Sequence, residues 1–368
     1  MLENPGVYQH MIFVIQNKEW DEYKPVMQAF LGLVQAEPAS VVDLARMVLE
    51  HAPEGGTYFD TALSFLPMED WPTVVAYAME ELRRNMTNRA AQSIIEYANL
   101  QCPEALHAYG EELARLESEC CQVGLHFPVF GDPPIQYPAP ALHFAFPAPY
   151  VAELLELRSP WPENRCHPTW ITAPEDSPTL AFGGMSEAVC RICHGHLHHI
   201  VTFDPVPDGA GVTGLPTLEL AVCLICLSLG VERLSYRHDV NGCPHDISLR
   251  ERWPDFVGGE ELIHFKPARV ALVELGSRWQ RQNWGKSNHR ENLNRVGGHP
   301  TWVQSPEYLP CPVCGEIQRF LLQLDDDLLM VDDQTGGISN WMWSGDSGMA
   351  YIFWCDACKV SSVRTQCV

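Results

Sequence analysis

The sequence predicts an α+β chain, an all-helical N-terminal domain followed by a β-rich duplicated domain, and three observations carry that prediction. Apolar residues recur at helical spacing as far as about residue 120; proline and aromatic residues then crowd residues 126–162; beyond them, short apolar runs bounded by Gly, Pro and Asp replace the helical period. The expected domains are therefore residues 1–125, helical; 126–162, a Pro- and aromatic-rich connection; and 163–368, β-rich. A length of 368 residues with 46% hydrophobic and 19% charged residues suits two folded domains.

The helices are expected in "SVVDLARMVLEH", "WPTVVAYAMEELRRNM", "AAQSIIEYANL" and "PEALHAYGEELARLE". They open on start signals such as Ser40 with Asp43, Pro72, or Pro103. Residues 1–120 hold 19 Asp and Glu against 7 Lys and Arg, so about half of the chain's formal charge of -23 lies there. In the connection, proline is too dense for regular helix and the aromatics too many for a free linker, which predicts an ordered, packed segment. Strands are expected at "HHIVTF", "LELAVCLIC", "RVALVEL", "FLLQL" and "MAYIFWC".

Composition also limits function. The acidity argues against nucleic acid as a direct ligand, because binding a phosphate backbone relies on Lys and Arg, and it favours a basic protein partner. No stretch approaches the roughly 18–20 apolar residues that span a bilayer, and the run Met11 to Ile15 lacks the flank and length of a signal peptide. A cytoplasmic protein with no membrane partner is expected. In that reducing compartment, cysteine pairs hold metal more often than they form disulfides.

Eight of the 14 cysteines are paired as Cys-x-x-Cys. Cys190 and Cys193 are followed after 29 residues by Cys223 and Cys226; Cys311 and Cys314 are followed after 40 by Cys355 and Cys358. The first pairs are offset by 121 residues and the second by 132, and His167-Pro168-Thr169-Trp170 recurs as His299-Pro300-Thr301-Trp302, also at 132. A tandem duplication follows, with zinc-ribbon-like repeats at 163–240 and 295–368. A two-residue gap lets both thiolates of a turn reach one ion, and the distant second turn completes four ligands. Up to two structural zinc ions are expected on Cys190, Cys193, Cys223, Cys226 and on Cys311, Cys314, Cys355, Cys358; closed shells leave no position for catalysis.

Other polar clusters read more plainly. His194, His196, His198 and His199 have Gly315, Ile317, Arg319 and Phe320 in the second copy, which favours a surface cluster over ligands. "DDDLLMVDD" from Asp325 to Asp333 fits no EF-hand and is expected to face water or a basic partner. "GDSG" at Gly345 to Gly348 lacks the His and Asp context of a protease and reads as a turn. No P-loop, His-Glu-x-x-His or dinucleotide fingerprint is present, so no enzyme and no catalytic residue is expected.

The C-terminal text "VGGHPTWVQSPEYLPCPVCGEIQRFLLQLDDD" and "WMWSGDSGMAYIFWCDACKVSSVRTQC" resembles the YwqG-like bacterial family. The resemblance rests on Gly297, Gly298, Pro300, Trp302, Gln304, Gln323, Asp325, Gly345, Asp346, Gly348, Tyr351, Phe353 and Cys367. It is strong over 290–368 and faint over 130–290, where Thr202 stands in place of Gln323, and it leaves the helical part uncovered. The duplicated Cys-x-x-Cys layout is also similar to the programmed cell death protein two family. These resemblances imply a β-rich, duplicated protein-binding module: an immunity protein or antitoxin that neutralises a basic cognate toxin, or a chaperone of a ribosomal or other basic client. An enzyme using the His-rich first repeat is the expectation from a different class.

Overall fold

Helical segments gather in the N-terminal part of the chain and a large antiparallel sheet fills the C-terminal part. The computed structural model describes residues 34, 36–51, 59, 62–120, 140–158, 169–208, 210–248, 263–276, 279, 282, 284–287, 291–304, 307–332, 336–339 and 348–367. Two units divide it: residues 1–136 with 159–167 and 277–281, and residues 137–158 with 168–276 and 282–368. Among the described residues, no helix is long and apolar enough to cross a membrane.

In the first unit, α1 (Ser40–His51), α2 (Trp71–Arg84), α3 (Arg89–Gln101) and α4 (Gly110–Cys120) follow the apolar period read from the sequence. Their inward stripes, including Val41, Leu44 and Val48 of α1, Val74, Ala78 and Leu82 of α2, and Ala91, Ile94 and Ala98 of α3, form one core with Trp71. Asn88 starts α3: its side-chain oxygen accepts the Ala91 N–H at 3.0 Å. Its amide also donates to the Leu49 carbonyl at 3.3 Å, tying α3 to α1.

The second unit holds β1 (Leu142–Ala145), α5 (Ala148–Arg158), β2 (Leu180–Phe182), β3 (Met185–Val189), β4 (His196–Phe203), β5 (Leu218–Val222) and α6 (Leu224–Ser228). It continues with β6 (Leu234–His238), β7 (Pro244–Asp246), β8 (Ile263–Phe265), β9 (Ala268–Glu274), α7 (Trp284–Ser287), β10 (Arg295–Val296) and β11 (Arg319–Asp325). The last strands are β12 (Met330–Asp332), β13 (Gly337–Ser339), β14 (Gly348–Cys355) and β15 (Val360–Cys367). Residues 142–158, read from sequence as connection, are thus strand and helix of this unit, with Phe144, Phe146, Tyr150 and Leu154 in its core. "LELAVCLIC" is strand only to Val222; Leu224 to Ser228 turn into helix with Cys223 as the N-cap.

The twelve-stranded sheet runs β3-β4-β2-β9-β1-β10-β11-β14-β15-β6-β7, with β5 on β4, and a small sheet orders β13-β12-β8. Around the central β9–β1 pair the order is palindromic: β2 answers β10, β4 answers β11 and β5 answers β14. The copies exchange their opening strands. β1 precedes the first copy yet pairs β10 of the second, with His143 opposite Arg295; β9 precedes the second copy yet pairs β2 of the first, with Arg269 opposite Ala181. At the far end β7 returns to the first copy, where Glu219 N–H donates to Gly242 O at 3.0 Å and Arg191 N–H to Asp246 at 2.8 Å, so the sheet nearly closes.

This register corrects the alignment of the two His-Pro-Thr-Trp segments. Gly183 N–H donates to Ile200 O and Gly297 N–H to Leu321 O, bonds whose acceptors are related by the 121-residue offset of the first cysteine pairs. Gly183-Gly184, with φ of 74° and 88°, therefore takes the place of Gly297-Gly298, with φ of 70° and 69°. Both doublets sit where a side chain would collide with the start of the exchanged strand: a Cβ on Gly183 would lie 2.6 Å from Lys266 O, and one on Gly298 2.7 Å from Ala141 Cβ. Thr169 Oγ1 accepts the Asn292 N–H at 2.8 Å, and His167 and Pro168 lie outside the described residues.

Candidate metal centres

Each quartet is assembled by two turns at one end of a strand pair. The first turn follows β3 and the second follows β5; in the other copy the turns precede β11 and follow β14. The two leading turns have the same backbone: Cys190 N–H donates to Gly195 O and His194 N–H to Cys190 O, as Cys311 N–H donates to Glu316 O and Gly315 N–H to Cys311 O. Amides of Ile192 and Val313 point at Cys190 Sγ and Cys311 Sγ at 3.4 and 3.5 Å, and Cys226 N–H points at Cys223 Sγ at 3.5 Å. Such N–H donors favour thiolate over thiol.

The sulfurs of Cys190, Cys193, Cys223 and Cys226 all lie within 4.8 Å of one another, as do those of Cys311, Cys314, Cys355 and Cys358. Contacts of 3.7 Å for Cys190–Cys226, 3.4 Å for Cys193–Cys223 and 3.7 Å for Cys314–Cys355 match the edge of about 3.8 Å that a tetrahedral shell with metal–sulfur bonds of about 2.3 Å requires. Both quartets are geometrically able to hold a metal ion. Hydrogen bonds from its three neighbours hold the Cys193 thiol far below the usual range, while Cys223 and Cys226 are pushed up by sharing the same protons and by burial. Four ionised sulfurs at such distances repel strongly, and a divalent cation among them removes that conflict.

The histidine cluster joins neither quartet among the described residues. His194 has φ of 63° and occupies the left-handed position that Gly315 fills in the second copy, a role in which His is one of the tolerated residues. His196 bonds the Ser186 carbonyl at 3.2 Å. His198 is buried rather than on the surface: its Nδ1 lies between the Leu224 N–H at 3.2 Å and the Val222 carbonyl at 3.3 Å, and burial holds it at about 4. His199 donates from Nδ1 to Gly183 O at 2.8 Å, and its Nε2 meets Thr202 Oγ1 at 2.8 Å. Three of the four therefore fix strands, and one fixes a turn.

Asp325, Asp326 and Asp327 depart from the expected water-facing loop: all three are buried, at 0%, 0% and 5% exposure. They close β11 against neighbouring backbone, with Asp326 accepting the Gly348 N–H at 3.1 Å and Asp325 N–H donating to Asn294 Oδ1 at 2.8 Å. Gly348 itself opens β14, where a Cβ would lie 2.4 Å from Gln366 O. Gly345 and Asp346 fall outside the described residues.

The other residues of the C-terminal motif bind one loop to the sheet. Gln323 accepts the Thr301 N–H at 2.8 Å and donates to Leu293 O at 2.8 Å; Tyr351 OH donates to Thr301 O at 2.7 Å and accepts the Val303 N–H. Trp302 packs on Tyr351 and Phe353 with ring centroids 4.7 and 6.2 Å away, and Gln304 donates to Cys367 O at 2.7 Å.

Sequence reasoning missed a buried polar network beside this loop. Gln282 Oε1 accepts from both His143 Nε2 at 3.1 Å and Arg295 Nη1 at 2.7 Å, while its amide donates to Glu291 at 2.8 Å. Arg295 is fully buried, which pulls it down to about 10, and it also donates to Thr301 Oγ1. Burial beside that cation lowers His143 to about 3, and burial lowers His238 to about 4. Both histidines have an ordinary value near 6.5 when unfolded, so below that pH the unfolded chain takes up protons the folded one refuses. Stability is then complete above pH 6.5 and falls with acid toward pH 4 to 3. Comparing urea unfolding at pH 7 and pH 5, His143→Gln is expected to lose about 2 kcal/mol less than the unsubstituted protein. Equal losses would show that His143 is not buried in its neutral form.

The comparisons with known proteins add little to this geometry. No protein-family model matches the chain, and no solved structure matches it. A 74-residue stretch is 30% identical to an uncharacterized protein, YpfL, of Salmonella typhimurium; the match covers 20% of this chain and 15% of that protein.

Proposed function

We propose that the protein is a non-enzymatic binding protein of the cytoplasm, stabilised by two zinc ions in ribbon-like repeats, that captures a basic protein. The observation that carries this reading is the closure of both quartets: four sulfurs converge in each, and no histidine or carboxylate joins them among the described residues. An ion held that way has no open position for substrate or water, so it supplies folding energy. Zinc suits four thiolates in tetrahedral array and undergoes no redox change. The formal charge of -23 supplies the attraction for a basic partner. With the YwqG-like resemblance, the partner is best read as a cognate toxin, whose active site the protein would cover; the likeness to programmed cell death protein two supports a chaperone of a basic client as the second reading.

The test is recovery of the tagged protein from its source cells at about 300 mM salt, where exposed charge pairs are strongly screened. One basic protein, toxic when expressed alone and harmless when co-expressed, is the expected result. Ribosomal proteins would favour the chaperone. Turnover of a small molecule that depends on His196 or His199 would overturn the non-enzymatic reading.

A further inference from the structure

The cysteine-bearing turns of the two copies face a common cavity of about 540 Å³. Ile192 of the first copy's turn and Pro312 of the second both line it, with Val231, Ile247 and Leu309 as further apolar wall. Two arginines, Arg233 and Arg364, and one carboxylate, Glu232, also line it, in a chain with 24 basic against 47 acidic residues.

Strand pairing sets the two arginines against each other. Leu234 of β6 is opposite Val363 of β15, so continuing the ladder by one residue places Arg233 across from Arg364. Like charges directly opposite on a sheet are destabilising unless an anion intervenes. Arg364 has one, since its Nε lies 2.5 Å from Glu307, with the well-exposed Glu232 at 3.8 Å. Arg233 spends its Nη2 on the Pro310 carbonyl and on Ser362 Oγ, and its buried Nε has no acceptor among the described residues. Burial also pulls its guanidinium below the ordinary range, the mark of a cation short of solvent. Natural structures rarely leave a buried donor of this kind unsatisfied.

We propose that this cavity binds a carboxylate carried on an apolar body, with Arg233 holding the carboxylate and the aliphatic wall covering the rest. Both carboxylates, Glu307 and Glu232, flank Arg364, so Arg233 is the one cation of the cavity with no carboxylate beside it among the described residues, which suits a monoanion better than a phosphate dianion. A volume of 540 Å³ falls within the range of about 300–1,000 Å³ typical of small-molecule sites. The site is independent of the capture of a basic protein. Arg233 also lies in the field of Cys311, so a role in balancing the thiolates is the competing account.

The probe is 8-anilinonaphthalene-1-sulfonate, a monoanion on an apolar body, titrated by fluorescence into the full-length, metal-loaded protein. Saturable binding of one molecule per chain is expected, displaced by N-acetylleucine and not by N-acetylleucinamide. Arg233→Gln should weaken it about tenfold, the worth of one charge-assisted hydrogen bond, with metal content unchanged. Val231→Trp fills the cavity while keeping both arginines and should abolish binding even if Arg233→Gln fails to fold. A peptide ending in leucine that displaces the probe better than N-acetylleucine would identify a protein C-terminus as the source; equal displacement would identify a free small acid. Displacement by the amide, unchanged binding in both variants, or loss of metal in Arg233→Gln would overturn the proposal, the last by assigning Arg233 to the cysteine quartet.

Discussion

Cys190→Ser is expected to unfold the β-rich unit, whereas Cys314→Ser should leave it folded with a lower urea midpoint. The difference follows from where the quartets lie. All four cysteines of the first are buried within the core shared by both copies, beside Leu197, Leu220 and Tyr236. Those of the second range from buried Cys311 and Cys355 to exposed Cys314, and Cys311, Cys355 and Cys358 lie in a separate small cluster with Val360. A structural zinc site supplies about 10–16 kcal/mol of apparent binding energy, comparable to the roughly 5–15 kcal/mol by which a whole domain is stable. Losing a ligand from the first quartet removes that support at the junction of β3, β4 and β5 and leaves a polar oxygen in the core. Losing one from the second loosens the end of the β14–β15 hairpin, which twelve-stranded pairing still holds at its other edges.

The same asymmetry orders metal release. With a chromogenic chelator, the ion of the second quartet should leave first and the ion of the first quartet should follow only as the unit unfolds. Two ions released in a single phase, or a Cys190→Ser variant that folds and still binds both, would show that the first quartet does not support the fold.

The quartets were legible in the sequence because ligand spacing is a local constraint: two residues between thiolates fix a turn whatever surrounds it. The helices were legible for a similar reason, since the apolar period and start signals such as Pro72 act within a few residues. Strand exchange was not legible. It depends on hydrogen bonds between residues far apart in the chain, such as His143 opposite Arg295 and Ala181 opposite Arg269, and short apolar runs do not state their partners. The repeated His-Pro-Thr-Trp misled because four identical residues outweighed a Gly-Gly doublet, although the doublet carries the backbone requirement. Burial of Asp325 to Asp327 ran against the strong tendency of carboxylates to stay wet.

Within that network, Arg295→Met is expected to cost about 1–3 kcal/mol, because it leaves the buried acceptors of Gln282 and Thr301 without its donors. Arg295 sits on β10 next to exchanged strand β1, and its loss removes a cation whose field reaches Glu291, which is 4% exposed. Gln282 and Thr301 lose donors at the same time. A methionine at 295 supplies packing volume but no positive field for Glu291. The pair Arg295→Met with Glu291→Gln should therefore be more stable than Arg295→Met alone, the non-additivity of about 1–3 kcal/mol expected of residues in one network. Urea unfolding of the two single variants and the double variant closes the cycle. If the effects of the two substitutions simply add, Arg295 and Glu291 are not coupled, and the exchange of β1 and β9 must be held by packing and backbone bonds alone. If they couple, this network, like the glycine doublets, pins the register of the exchanged strands, and both cysteine quartets then hang from a sheet whose centre is fixed electrostatically.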